Sequence, residues 1–156
     1  MVENVVNFSG VLVVTAEQAE TVRVIRNHCR QYMTRVTDNI GPDQQLSWWL
    51  TLNKQANRLF LFKIVAQDVP GVIYEEDIGY GLCRLIGGKW WVSGGLSPEW
   101  QGKGFGNKLF SYLVEQTGTP CWLEVLSHNT RAYNVYKNLG FVETSHDGDV
   151  ATMVKR

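Results

Sequence analysis

Apolar residues recur along this chain in two periods, and their order predicts a fold. Short apolar or alternating runs predict strands, here 11–14, 59–65, 78–86, 89–96, 121–126, 141 onward and 150–155. Apolar residues three and four positions apart predict four helices. The first covers 16–33, the second starts at 41–43, the third runs from the glycines at 101–106 to about 117, and the fourth covers 129–138. The resulting order, β-α-α-β-β-β-α-β-α-β-β, predicts a mixed α/β fold in one domain over residues 1–156.

Turn and cap residues place several of the boundaries. Thr15 and Gln18 have the spacing of a capping box, which predicts the start of the first helix. Gly87-Gly88 between two apolar runs predicts a hairpin, and Gly71 with the acidic residues 75–77 predicts a loop. Gly140 predicts the end of the last helix.

The most informative stretch is the glycine-rich segment 101–106. It follows a strand that ends at Pro98, and it precedes a helix with apolar residues at 109, 110, 113 and 114. A glycine-rich turn that opens a helix presents unpaired backbone N–H groups at the positive end of the helix dipole. The segment therefore predicts a site for a phosphate or pyrophosphate group.

Two common phosphate-binding motifs do not fit this segment. A nucleotide P-loop counted from Gly102 would need glycine where Asn107 stands and a hydroxyl where Leu109 stands. A dinucleotide fingerprint would need its third glycine one residue after Gly106, and it would follow the first strand of the domain rather than a late one.

Composition narrows the classes of partner. Fifteen basic residues balance fifteen acidic ones, so no general attraction to nucleic acid or to an acidic membrane is expected, and any anion site is local. No apolar run reaches the ~20 residues that span a bilayer, and residues 1–4 lack the pattern of a signal peptide. Cys29, Cys83 and Cys121 show no metal-ligand spacing and predict free thiols in a cytoplasmic protein, with no metal site.

A third phosphate-loop pattern fits. Gln101, Gly104 and Gly106 satisfy [Gln/Arg]-x-x-Gly-x-[Gly/Ala], and this resembles the acetyl-coenzyme A loop of the GNAT superfamily of N-acetyltransferases. A second motif lies downstream. Asn129 is followed by alanine three residues later and by Tyr136 seven residues later, and Gly-Phe closes the segment at 140–141, all at the spacing of that family.

The resemblance implies a fold and a co-substrate. The fourth and fifth strands of a central mixed sheet would splay apart, and the pantetheine arm of acetyl-coenzyme A would lie between them. We expect a β-bulge at Gly94-Gly95, because glycine weakens a strand unless the backbone bends or approaches a ligand there. By resemblance the residues expected to bind acetyl-coenzyme A are Leu96, Ser97, Gln101, Gly102, Lys103, Gly104, Phe105, Gly106, Asn107, Asn129 and Tyr136.

The catalytic residues are expected from the same resemblance. Tyr136 would protonate the departing thiolate of coenzyme A. Many members carry a glutamate on the strand before the glycine loop, but this chain has only Trp and aliphatic or hydroxyl side chains over 90–93. Glu124 is the expected replacement as general base, with an outward-facing strand residue as the alternative. A ping-pong route through Cys83 or Cys121 is the less favoured mechanism.

The acceptor is expected over the first two helices. A basic stripe runs along the first helix at Arg23, Arg26 and Arg30, with Arg35 beyond, and a solvated helix face is the favoured interpretation. The set Arg26-Asn27, Arg30, Met33, Ile40, Gln45 and Trp49 is similar to the first two helices of ribosomal-protein and nucleotide-amino-sugar acetyltransferases.

Two functions of different classes follow from these observations. The first is an N-acetyltransferase that acts on a primary amine of a small molecule, an amino sugar or a protein, by direct attack in a ternary complex. The second is a catalytically silent module that binds or senses coenzyme A, which the missing strand carboxylate suggests. A homodimer is one assembly that the sequence allows.

Overall fold

Seven strands form one sheet in the computed structural model, which describes residues 5–34 and 38–156. Residues 1–4 and Arg35, on which predictions were made above, lie outside these ranges. The strands are β1 (Val5–Leu12), β2 (Asn57–Val69), β3 (Val72–Ile86), β4 (Lys89–Leu96), β5 (Cys121–Leu126), β6 (Val142–Asp147) and β7 (Val150–Lys155). The helices are α1 (Ala16–His28), α2 (Pro42–Thr51), α3 (Phe105–Thr117) and α4 (Thr130–Asn138), with short 3₁₀ turns at Arg30–Tyr32 and Pro98–Trp100.

The sheet is mixed, and its element order confirms the predicted fold class. The strands run in the order β1-β2-β3-β4-β5-β7-β6. All neighbouring pairs are antiparallel except β4 and β5, which are parallel and joined through α3. Parallel neighbours need a crossover connection of this kind.

Several predicted boundaries were wrong for tertiary reasons. β1 covers 5–12 rather than 11–14, because its polar residues alternate on an exposed face while the strand pairs with β2. The first helix ends at His28, where the chain turns so that the Cys29 thiol reaches the sheet. The acidic residues 75–77 lie inside β3, where Lys63 on β2 pairs with Glu75 and Asp77 across the strands.

Apolar side chains pack on both faces of the sheet. On one face α3 and α4 cover a core that includes Phe62, Leu109, Leu113 and Met153. On the other face α1 and α2 cover a smaller cluster. The helix α1 contacts β2, β3 and β4, and α2 packs against α1.

The expected bulge at Gly94-Gly95 is absent, because β3 and β4 pair in unbroken register from Gly79–Leu96 to Ile86–Lys89. The glycines allow close approach instead. A Cβ atom at Gly94 would lie 2.5 Å from the Tyr80 carbonyl oxygen and 3.1 Å from Leu109 on α3. The third helix therefore packs directly on the backbone of the strands beside the parallel pair.

Gly94→Ala is expected to destabilise the fold by about 1–3 kcal/mol, because the added methyl group meets backbone that cannot move aside cheaply. Urea unfolding followed by tryptophan fluorescence measures the change. Gly41→Ala is the control, since a Cβ atom there meets nothing within 4 Å. Equal stability of the two variants would show that the strand backbone at Tyr80 moves aside at no measurable cost.

Candidate functional site

The parallel pair β4–β5 is joined at one end only. It pairs at Trp90–Cys121 and Trp91–Trp122, and the two strands separate beyond these residues. The splay between the fourth and fifth strands is therefore confirmed. A cavity of about 970 Å³ lies where they separate, and its lining comes from both strands, from the starts of α3 and α4, and from the α1–α2 region.

Strand separation leaves backbone groups of β4 without a strand partner on one side. The Ser97 N–H donates to the Ile78 carbonyl oxygen of β3 at 2.8 Å. Successive residues of a strand point their backbone N–H and C=O groups to opposite edges of the strand. The backbone groups of Val92, Gly94 and Leu96 therefore point away from β3. A buried backbone group without a partner is costly. These groups face the cavity, where an extended ligand could pair with them.

The Leu96 carbonyl is already satisfied from within the protein. It accepts hydrogen bonds from the Gln101 side-chain amide at 3.0 Å and from the Cys29 thiol at 2.9 Å. Gln101 thus fixes the glycine loop to the end of β4, and Cys29 fixes the end of α1 to the same point.

Two helix N-termini meet at one end of the cavity. At the start of α3 the N-cap residue is Gly104, in the left-handed region at φ 90°, and it provides no side chain to bond the first-turn N–H groups. Gly102 also has a positive φ, 73°, so both positions favour glycine. At the start of α4 the Asn129 side chain accepts a hydrogen bond from the Ala132 N–H at 3.3 Å. The α3 amides are therefore placed to bind an anion.

Arg131 is a candidate site residue that the sequence analysis did not single out. It lies in the first turn of α4, and its guanidinium covers Gly102, because a Cβ atom at Gly102 would lie 3.5 Å from the Arg131 Cζ atom. Its position two residues after Asn129 was the available signal. The guanidinium adds a positive charge to the two helix ends.

The structure brings most of the predicted site residues to this one cavity. Those that line it are Leu96, Gln101, Gly102, Gly104, Gly106, Asn107, Glu124, Asn129 and Tyr136. Three others lie elsewhere. Ser97 is buried, and its N–H donates to the Ile78 carbonyl oxygen of β3. The Phe105 ring packs between the rings of Phe8 and Trp100. The exposed Lys103 ammonium lies 5.4 Å from the centre of the Trp100 ring. Any ligand contact of Phe105 is therefore through its backbone N–H.

Tyr136 lies in the wall of the cavity between two aromatic rings. The side chain is buried, with the Phe110 ring 4.8 Å and the Phe141 ring 6.1 Å away, centre to centre. Burial raises the pKa of the phenol above its usual value. The hydroxyl therefore stays protonated near neutral pH and can act as a proton donor.

Glu124 projects from β5 on the sheet face that looks toward α1 and α2. Its side chain lines the cavity, and its Oε1 atom accepts a hydrogen bond from the Thr34 hydroxyl at 3.4 Å. Thr34 belongs to the segment after α1, so this contact spans the cavity. Over 90–93 the neighbouring strand β4 carries no carboxylate.

The arginines of α1 hold the connection to α2 rather than forming a solvated stripe. Arg23 donates to the Ile40 carbonyl oxygen at 3.0 Å, and Arg26, which is buried, donates to the Asp38 carbonyl oxygen at 2.6 Å. Asn27 exchanges two hydrogen bonds of 2.9 Å with the Ile40 backbone. These contacts fix residues 38–40, of which Ile40 lines the cavity.

None of the three cysteines is placed as a nucleophile. All are buried and unpaired with one another, and Cys83 and Cys121 lie outside the cavity lining. Burial raises the pKa of the Cys29 thiol to about 11 and that of Cys83 to about 12, and it also raises the pKa of Cys121. The thiolate form is scarce at neutral pH, which disfavours a covalent route.

Further observations concern metals and membranes. Within residues 5–34 and 38–156, no group of three or more His, Cys, Asp or Glu side chains is placed to hold a metal ion. In the same part of the chain no helix is long and apolar enough to cross a membrane.

Comparison with known proteins agrees with this geometry. The sequence profile of the acetyltransferase (GNAT) family matches residues 23–141. No curated protein matches the chain in sequence.

Solved structures share the fold at low sequence identity. A domain from Methanocaldococcus jannaschii superposes with a TM-score of 0.76 at 13% identity, covering 95% of this chain and 98% of that one. Spermidine N-acetyltransferase from Vibrio cholerae, in complex with CoA and spermine, gives 0.73 at 20% identity and covers 94% of each chain. The protein yncA from Salmonella typhimurium, solved with its cofactor acetyl-CoA, gives 0.70 at 19% identity, covering 96% and 94%.

The buried thiols are expected to resist alkylation. Iodoacetamide at pH 8 should leave all three cysteines of the folded protein unmodified over an hour and should modify all of them in urea, because only the thiolate reacts and burial keeps the thiols protonated. Intact-mass spectrometry counts the modified thiols. Rapid modification of Cys83 or Cys121 in the folded protein would reopen the covalent route.

Proposed function

Because the chain belongs to the acetyltransferase (GNAT) family, we propose that it transfers the acetyl group of acetyl-CoA to a primary amine by direct attack in a ternary complex. One observation carries this proposal. The cavity at the splayed strands is lined by the start of α3 and Arg131, which we propose as the anion-binding groups, and by Glu124 and Tyr136, which we propose as the proton-transfer groups.

The cofactor-binding residues fit a long, phosphorylated thioester. Backbone N–H groups from Gly102 to Asn107 would bind the pyrophosphate, with Arg131 as an added cation. The backbone of Gly94 and Leu96 would pair with the amides of pantetheine, and the Asn129 side-chain amide, whose oxygen caps α4, has its NH₂ group to donate. That the structures from Vibrio and Salmonella hold CoA and acetyl-CoA supports this assignment.

The acid–base chemistry needs one proton acceptor and one donor. An amine attacks only when neutral, so Glu124 would accept the ammonium proton, directly or through water. The amine nitrogen then bonds to the carbonyl carbon as the carbon–sulfur bond breaks, and the Tyr136 hydroxyl would protonate the departing thiolate. The proton that the new amide nitrogen loses would pass through water to the tyrosinate, which restores the phenol, and Glu124 would release its proton to solvent.

A silent coenzyme A-binding module is the second candidate, because β4 carries no carboxylate over 90–93. Release of free coenzyme A thiol, measured over a panel of amines, separates the two functions. Turnover that Glu124→Gln lowers would support the enzyme. Tight acetyl-CoA binding without turnover on any amine would support the module.

Three unpaired cysteines fit a reducing cytoplasm, which is the compartment we propose.

Tyr136→Phe is expected to lower kcat by about 10²-fold with little change in the KM for acetyl-CoA, because it removes the proton donor but keeps the ring. Tyr133→Phe on the same helix is the matched control, since its hydroxyl bonds to Glu143 outside the cavity. Steady-state kinetics measures both variants. Equal kcat in the two variants would remove Tyr136 from the mechanism.

A further inference from the structure

We infer that the acceptor is a monoamine with an aromatic or bulky apolar body, whose ammonium group binds at Glu124. This inference rests on the proposed function and names its substrate class. It comes from the part of the cavity that lies between the sheet and the α1–α2 region, away from the glycine loop. The side chains there supply large apolar surfaces and few charges.

One wall of this part is the open face of the sheet. Leu82 and Ile86 on β3 and Trp91 on β4 line the cavity and share the face that looks toward α1 and α2. Trp91 pairs with Trp122 on the neighbouring strand β5. Glu124 is two residues after Trp122 on that strand, so its side chain lies on the same face. Arg84 lies between Leu82 and Ile86 on this face, and Ser93 lies beside Leu82, so a trough that is apolar at Leu82, Ile86 and Trp91 runs along the sheet to the carboxylate.

The opposite wall comes from the helices. Tyr32, Met33 and Trp48 line the cavity from the α1–α2 side. The Met33 sulfur accepts a hydrogen bond of 3.6 Å from the Tyr80 hydroxyl, which ties this wall to the sheet. Ile86 is 51% exposed and Tyr32 38% exposed. Apolar side chains that stay exposed inside a concave site gain free energy when an apolar ligand covers them.

The charges of the cavity exclude a polycation. Among the described residues that line it, Glu124 is the one carboxylate, whereas Arg26 and Arg84 add guanidinium groups on the acceptor side. A polyamine brings two or more ammonium groups, and each needs an anionic partner once it leaves water. A single carboxylate cannot neutralise two or more ammonium groups. The Vibrio enzyme solved with spermine is only 20% identical, so its ligand does not decide the acceptor here.

An amino sugar fits this trough poorly for a different reason. Its hydroxyl groups each need a hydrogen-bond partner when they are buried. Gln44, Arg84 and Ser93 line the cavity and can serve some of them, whereas Leu82, Ile86 and Trp91 offer only apolar side-chain surface. An aromatic ring instead packs on Trp91 and Trp48 and needs no such partners.

A kinetic panel tests the inference. With acetyl-CoA saturating, kcat/KM is measured for phenethylamine, spermidine, glucosamine and a short peptide with a free N-terminus. We expect phenethylamine to exceed each of the others by about tenfold or more. Preference for spermidine, glucosamine or the peptide would overturn the inference while leaving the proposed function intact.

A direct binding measurement distinguishes failure of the proposed function from failure of the inferred acceptor class. If no amine is acetylated although acetyl-CoA binds, the proposed function fails, and calorimetric titration of the CoA-loaded protein then decides the inference. Binding of phenethylamine, with spermidine at least about tenfold weaker, would support it. Equal or stronger binding of spermidine, or no binding of phenethylamine, would overturn it.

A pair of tryptophan variants locates the ligand. Trp91→Leu is expected to lower kcat/KM, or affinity, for phenethylamine by about tenfold, and Trp91→Phe should restore most of it. Trp122→Leu is the matched control, because Trp122 lies on the same face with its ring centre 6.3 Å from that of Trp91 but outside the cavity lining. Equal losses in the two leucine variants would show that the effect is structural and would overturn the inference.

Discussion

The separation of β4 from β5 is the constraint on which the site depends. Two paired positions, Trp90–Cys121 and Trp91–Trp122, hold the strands together, and beyond them the sheet gives up hydrogen bonds that a continuous ladder would make. Such a loss is tolerated only if the freed backbone groups find other partners. Cys29 and Gln101 supply two of these partners at Leu96. A bound thioester arm would supply the rest.

Close packing of α3 on the sheet brings its N-terminus next to the place where β4 and β5 separate. Glycines on β3 and β4 let α3 lie directly on the sheet, so its N-terminus opens beside the end of β4. The start of α4 and Arg131 add positive potential at the same end. Glu124 and Tyr136 line the same cavity. In the proposed function, binding energy from the phosphates would be applied far from the reacting atoms, where it can orient them.

The sequence predicted what depends on local pattern and missed what depends on contacts between distant segments. The order of elements, the capping box at Thr15 and the glycine loop were readable because spacing and turn chemistry encode them. The extent of β1, the strand character of 75–77 and the regular pairing at Gly94-Gly95 depend on neighbours far along the chain. The role of Arg131 depends on where α4 docks, which no local pattern shows.

Residue-resolved amide hydrogen exchange, with and without saturating acetyl-CoA, tests the central claim most directly. The amides of residues 102–107 and those of Gly94 and Leu96 should exchange at least about tenfold more slowly with ligand, because they would be bound or shielded. Amides of β1, on the far side of the sheet, should keep their rates. Unchanged exchange over 102–107 at saturation, or protection concentrated in β1, would contradict the account.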